Sequence, residues 1–196
     1  EKAETGYTNT ILAEDLAALV AALRLDKPAL MGHSLGAAGV AEAAALHPGM
    51  ASCVVLEDPP WRADSSPAER EAAAAQWRAR VVSDRMKTRD ELLAICAERH
   101  PAWSKGECGP WAIAKMQVSP TVIDYVAAER STWQQIVPQI TCPILLIRGD
   151  VKKEAIVDEA VAQAVASAWR VGRVAHVPGA GHNIRREQFA RYMEVV

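Results

Sequence analysis

The stretch Gly32-His33-Ser34-Leu35-Gly36 has the G-x-S-x-G spacing of a nucleophile elbow, a sharp turn that presents a catalytic serine. An apolar strand is predicted just before it, over residues 27–31, and strong helix formers follow over residues 37–46. This order of strand, turn and helix predicts strained backbone angles at Ser34 and a hydroxyl that points outward. We expect Gly32 and Gly36 to let the strand and the helix cross closely, because neither carries a Cβ atom.

Composition excludes several classes of partner. The chain has 196 residues, is 50% hydrophobic and carries a formal net charge of −2. The absence of a basic run predicts that it does not bind nucleic acid. Short apolar stretches and a polar N-terminal segment predict neither a membrane span nor a signal peptide. The four cysteines show no paired spacing and predict free thiols in a cytoplasmic protein, with no metal site: Cys53, Cys96, Cys108 and Cys142.

Strands and helices alternate outside the middle of the chain. An amphipathic helix is predicted over residues 11–25, and further helices over residues 156–169 and from about Ile184. Besides the strand before Ser34, buried strands are predicted over residues 53–56, 143–147 and 172–177. Continuously apolar strands that alternate with helices predict an α/β fold, a parallel sheet covered by helices on both faces.

One segment breaks this alternation. Residues 61–139 contain helical runs and no convincing strand, and the candidate N-caps are Asp64, Ser65, Ser66 and Thr88. We therefore predict a core over residues 1–60 and 139–196, with a helical cap over residues 61–138. Five of the tryptophans lie in the inserted segment, and we expect most of them to form its core. Trp61, just past a strand end, is predicted to bind substrate in an apolar pocket.

A catalytic serine needs a base and an acid that orients the base, all at the carboxyl ends of the strands. His182 follows the last strand in a glycine-rich turn and is the predicted base. Asp150 follows the third strand and is the predicted acid, with Asp58 after the second strand as the alternative. His33 is expected to pack or to contact substrate at the pocket wall.

The acyl-transfer intermediate also needs hydrogen-bond donors for its oxyanion. The backbone N–H of Leu35, at the start of the helix that follows the elbow, is the predicted donor. A second donor normally comes from a loop after an earlier strand, and we find no such strand before residue 27.

Four segments together resemble the α/β-hydrolase superfamily, most closely its capped serine esterases and related hydrolases. They are the elbow at residues 32–36, the strand end at residues 56–61, Arg148-Gly149-Asp150, and residues 179–183. The resemblance covers essentially the whole chain. It implies Ser34 as nucleophile, Asp150 as acid, His182 as base, an active site between sheet and cap, and no metal or organic cofactor.

Two departures from the family pattern matter. Family members often show Gly-x-x-Asp after the third of these strands, whereas here Asp150 directly follows Gly149, which keeps Asp58 as a candidate. The chain also opens near the helix before the elbow, so we expect it to be the C-terminal part of a hydrolase. Such a remnant would expose the edge of the elbow strand, which predicts a homodimer or a domain swap.

The leading functional hypothesis is a serine hydrolase that cleaves small carboxylic esters through an acyl-enzyme. Lactone or C–C hydrolysis, acyl transfer and perhydrolysis use the same residues and stay open. The alternative from another class is a non-catalytic or impaired remnant of a hydrolase, which lacks the second oxyanion donor.

Overall fold

The computed structural model describes residues 7–61, 66–128 and 131–196. The described residues divide into two units. The helical unit contains residues 66–128 together with Tyr7 and Thr8, and the sheet unit contains residues 9–61 and 131–196. Residues 131–138 thus belong to the sheet unit. The division into a catalytic core and a cap stays a prediction.

The sheet unit is built on four parallel strands in the order β1-β2-β3-β4. They are β1 (Ala29–His33), β2 (Cys53–Glu57), β3 (Ile144–Arg148) and β4 (Gly172–His176). Because all four run in the same direction, their carboxyl ends meet at one edge of the sheet. The predicted parallel α/β sheet is confirmed.

The described residues form helices of very different length. They are α1 (Asn9–Ala22), α2 (Leu35–Leu46), α3 (Pro67–Arg85), α4 (Arg89–Arg99), α5 (Lys105–Gln117), α6 (Asp124–Ala127), α7 (Trp133–Ile136), α8 (Glu159–Ala168), α9 (Ile184–Glu187) and α10 (Phe189–Val195). Short 3-10 turns occupy Pro120–Ile123, Val137–Gln139 and Val151–Lys153. No helix in the described part of the chain combines the length and the apolar character needed to cross a membrane.

Helices cover both faces of the sheet, as predicted. Successive strand residues point to opposite faces, so each strand contributes to two cores. One core joins α1, α2, α7 and α8 to strand residues Leu30, Val54, Leu56, Ile144 and Leu146. The other joins α9 and α10 to strand residues Val55, Leu145, Ile147 and Ala175. Burial on both sides explains why β2 and β3 are continuously apolar.

The edge strand β1 pairs with a described strand on one side only. The side chain of Met31 on this strand is 51% exposed. Pairing of this edge with a second copy of the chain stays a prediction.

The helical unit confirms two predicted helix starts and corrects the expectation for the cysteines. Capping boxes at Ser66 and Thr88 begin α3 and α4, whereas the other candidate caps, Asp64 and Ser65, lie outside the described residues.

Cys96 on α4 and Cys108 on α5 form a disulfide, with their Cα atoms 5.7 Å apart. The prediction of four free thiols was wrong because two packed helices bring distant cysteines within bonding reach.

Candidate active site

The elbow has the strained geometry that its sequence predicts. Ser34 links β1 to α2 with φ 54° and ψ −121°, values that a residue with a side chain rarely adopts. A Cβ atom at Gly32 would overlap the carbonyl oxygen of Gly36, so the crossing requires glycine at position 32. A Cβ atom at Gly36 would meet nothing within 4 Å, so the expected role of Gly36 in the crossing was wrong.

His182 joins Ser34 to an aspartate through two hydrogen bonds. Its Nε2 lies 3.0 Å from Ser34 Oγ, and its Nδ1 lies 2.6 Å from Asp58 Oδ2. A carboxylate only accepts, so Nδ1 carries the proton and the lone pair of Nε2 faces the serine hydroxyl. The hydroxyl can then donate its proton to the imidazole, which is the geometry of an activated serine nucleophile.

Asp58 is held in place by main-chain donors from a distant loop. Its side chain is fully buried, and the residue has φ 42°. The carboxylate accepts hydrogen bonds from the backbone N–H groups of Ile156, at 2.9 and 3.0 Å, and Val157, at 2.9 Å. These donors replace the water that burial removes from the charged carboxylate. Sequence reasoning missed Ile156 and Val157, because a main-chain donor leaves no signature in residue type.

Asp150, the predicted acid, does not contact His182. Its two carboxylate oxygens accept from His176 Nε2 and from the backbone N–H of Gly179, each at 2.7 Å. The Gly179 hydrogen bond, with that of His176, holds the pKa of Asp150 below its usual range. The structure therefore corrects the choice of acid to the alternative, Asp58. Asp150 instead anchors the turn that leads to His182.

His33 buttresses the imidazole of His182. Its Nε2–H donates to the backbone carbonyl of His182 at 2.8 Å, and the two ring centroids are 4.6 Å apart. This arrangement fixes the main chain and one ring face of His182. The predicted contact of His33 with substrate stays a prediction.

The other predicted site residues are Leu35 and Trp61. Leu35 is the first residue of α2, so its N–H has no acceptor within the helix and lies at the positive end of the helix dipole. Trp61 is 5% exposed and belongs to the core of the sheet unit. Its role in substrate binding stays a prediction.

Within residues 7–61, 66–128 and 131–196, no three His, Cys, Asp or Glu side chains form a group that could hold a metal ion.

The environment of His33 predicts a pH-dependent stability. Burial, the largest cause, lowers the pKa of His33, and the nearby charge of Glu57 only partly offsets it. The unfolded chain binds this proton near pH 6.5, about the ordinary histidine value, whereas the folded chain resists it. The free energy of unfolding should therefore decrease as the pH falls below about 6.5.

The substitution His33→Gln isolates this contribution, because glutamine can donate to the same carbonyl and does not titrate. We expect the stability of the variant to be less sensitive to acid. Its free energy of unfolding relative to that of wild type should therefore increase as the pH is lowered from 8 to 5.5. Urea unfolding followed by circular dichroism measures this. An equal difference in stability at both pH values would contradict the assignment.

Comparison with known proteins places the fold. The model of the alpha/beta hydrolase family matches residues 2–194. Similar solved structures include an E-2-(acetamidomethylene)succinate hydrolase, at 24% identity and TM-score 0.76, over 99% of this chain and 74% of that one. An esterase from Thermogutta terrifontis has 25% identity and TM-score 0.69, over 98% and 72% of the two chains. An esterase from Exiguobacterium antarcticum has 18% identity and TM-score 0.72, over 99% and 74%.

No curated protein matches the chain significantly by sequence. The family match spans nearly the whole chain, and it agrees with the strand order, the elbow and the position of His182. This chain belongs to the alpha/beta hydrolase family.

Proposed function

We propose that the protein is a serine hydrolase that cleaves carboxylic esters through an acyl-enzyme intermediate. Ser34 is the nucleophile, His182 the general base and then the general acid, and Asp58 the group that orients His182. One observation carries the proposal: the continuous hydrogen-bonded chain from Asp58 through His182 to Ser34, with contacts of 2.6 and 3.0 Å.

The proposed reaction has two halves. Ser34 Oγ attacks the ester carbonyl while its proton passes to His182 Nε2, and the imidazolium returns that proton to the departing alcohol. Water then cleaves the acyl-enzyme by the same proton transfers in reverse. The buried carboxylate of Asp58 stabilises the imidazolium that forms in each half, and the Leu35 N–H donates to the oxyanion.

The backbone of Ser34 itself is not available as an oxyanion donor. Its N–H donates to the carbonyl of Glu57 at 2.9 Å. This hydrogen bond ties the elbow to the end of β2, directly before Asp58. In the proposed mechanism the elbow therefore contributes the next N–H along the chain, that of Leu35.

A fluorophosphonate probe tests the proposal directly. Ser34 Oγ should form a bond to phosphorus and expel fluoride, while its proton passes to His182. We expect a single adduct on the peptide that contains Ser34, detected by mass spectrometry, and hydrolysis of a p-nitrophenyl short-chain ester that the probe abolishes. Heat-denatured protein is the control and should not react.

An adduct at another residue would overturn the assignment of the nucleophile. A native protein that neither reacts with the probe nor hydrolyses the ester would instead favour a non-catalytic member of the family.

A further inference from the structure

A second buried carboxylate, that of Glu57, lies at the site and takes no part in the hydrogen-bonded chain from Asp58 to Ser34. Glu57 is 1% exposed. Its Oε1 accepts from the backbone N–H of Arg185 at 3.0 Å, and its Oε2 accepts from Arg185 Nη1 at 2.6 Å. The side chain of Arg185 is 36% exposed, so the buried member of this ion pair is Glu57. Burying a charged carboxylate this deeply carries a desolvation penalty. A role for Glu57 in the site would explain why a charge lies there.

Glu57 belongs to a regular set of contacts along residues 177–185, here called the histidine segment. Alternate backbone N–H groups of this segment each donate to a carboxylate. Gly179 donates to Asp150 at 2.7 Å, Gly181 and Asn183 donate to Glu187 at 2.7 and 3.3 Å, and Arg185 donates to Glu57. His182 lies in the middle of this set, so these carboxylates define where its backbone runs.

Glu57 differs from the other two acceptors in what it connects. Glu187 lies beside the histidine segment in sequence, and Asp150 lies on the loop after β3. Glu57 ends β2, its own carbonyl accepts from Ser34 N–H at 2.9 Å, and the next residue is Asp58. A single residue thus contacts the elbow, the strand that carries the acid and the segment that carries the base.

We propose that Glu57 is a positioning residue: through Arg185 it holds His182 Nε2 within hydrogen-bond distance of Ser34 Oγ. The expected effect on kcat rests on the proposed function, whereas the positioning of His182 relative to Ser34 does not. Catalytic groups must be held to within a fraction of an ångström, and a displacement of about 1 Å can cost about 100-fold in rate.

Graded substitutions separate positioning from simple stability. Glu57→Gln keeps an oxygen that can accept from Arg185 N–H but loses the charge, and Glu57→Ala loses both. We expect kcat for ester hydrolysis to fall about 10-fold in the glutamine variant and about 100-fold in the alanine variant, with KM changed less than about threefold. Glu159→Gln is the matched control, because it removes the charge of an exposed carboxylate on α8 that pairs with Arg148 rather than with Arg185. It should stay within about twofold of wild type.

A readout independent of turnover is the downfield proton NMR signal of His182 Nδ1–H, which depends on the contact with Asp58. We expect this signal to shift or broaden in Glu57→Ala and to persist in Glu159→Gln. If wild type shows the signal but hydrolyses no ester, the proposed function fails and the signal still tests the positioning role.

If wild type is active and folded Glu57→Ala keeps both the wild-type kcat and the signal, the positioning role is overturned. Circular dichroism at the assay temperature establishes that each variant is folded. A variant with a lower melting temperature but an unchanged kcat in its folded fraction would likewise assign Glu57 to stability alone.

Discussion

Asp58→Asn should lower kcat for ester hydrolysis by about 10⁴-fold, while the protein stays folded. The change preserves the size of the side chain and removes only its charge and one acceptor. Steady-state kinetics with a p-nitrophenyl ester, alongside circular dichroism, measure the effect.

The size of this effect follows from the donors around the carboxylate. Oδ1 of Asp58 accepts from the N–H groups of both Ile156 and Val157, so the asparagine oxygen should occupy that position. The NH₂ group then faces Nδ1 of His182, where Oδ2 now lies. Because the NH₂ group only donates, His182 would switch to the tautomer with its proton on Nε2. That tautomer cannot accept the proton of Ser34.

Asp150→Asn is the control that distinguishes the two candidate acids. Its carboxylate contacts His176 and Gly179 rather than His182, so we expect a loss of less than about tenfold from a loosened turn. If Asp150→Asn were as damaging as Asp58→Asn, or if Asp58→Asn kept more than about a tenth of the activity, the acid would not be Asp58.

The fold could be predicted from the sequence because its signals are local. Short apolar strands flanked by glycine, proline and polar residues predict a buried parallel sheet, and the elbow predicts the strand, turn and helix around Ser34. The position of His182 also follows, since a glycine-rich turn after the last strand is a local pattern. These features depend on neighbours within a few residues of each other.

The choice of acid could not be predicted in the same way. Asp58 and Asp150 both follow buried strands, and both lie at the edge of the sheet where ligands bind. What separates them is the loop at Ile156 and Val157, nearly one hundred residues beyond Asp58, whose N–H groups hold its carboxylate beneath His182. Asp150 instead contacts His176, the last residue of β4. Contacts of this kind depend on tertiary structure.

Helix packing accounts for the other differences. The apolar residues of the helix predicted over residues 11–25 favour one buried face, yet Leu19 is 53% exposed, and Leu23, just past the end of α1, is 59% exposed. The helix α1 packs through Ala13 and Val20. The disulfide between Cys96 and Cys108 likewise depends on how α4 lies against α5. Periodicity predicts that a helix has an apolar face, but the partner helix decides how much of that face is covered.

Ser34→Ala should remove essentially all ester hydrolysis, with kcat reduced by about 10⁶-fold, because no neighbouring group can replace the attacking oxygen. Alanine keeps the Cβ atom and the backbone strain of the elbow, so the change isolates the hydroxyl. The variant should fold like wild type and should not react with a fluorophosphonate. Ser167→Ala, which removes an exposed hydroxyl on α8 that contacts only Gln163 in the described contacts, is the matched control and should be fully active. If purified Ser34→Ala retained more than about one per cent of the wild-type rate, another nucleophile would carry the reaction, and the chain from Asp58 through His182 would serve some other purpose.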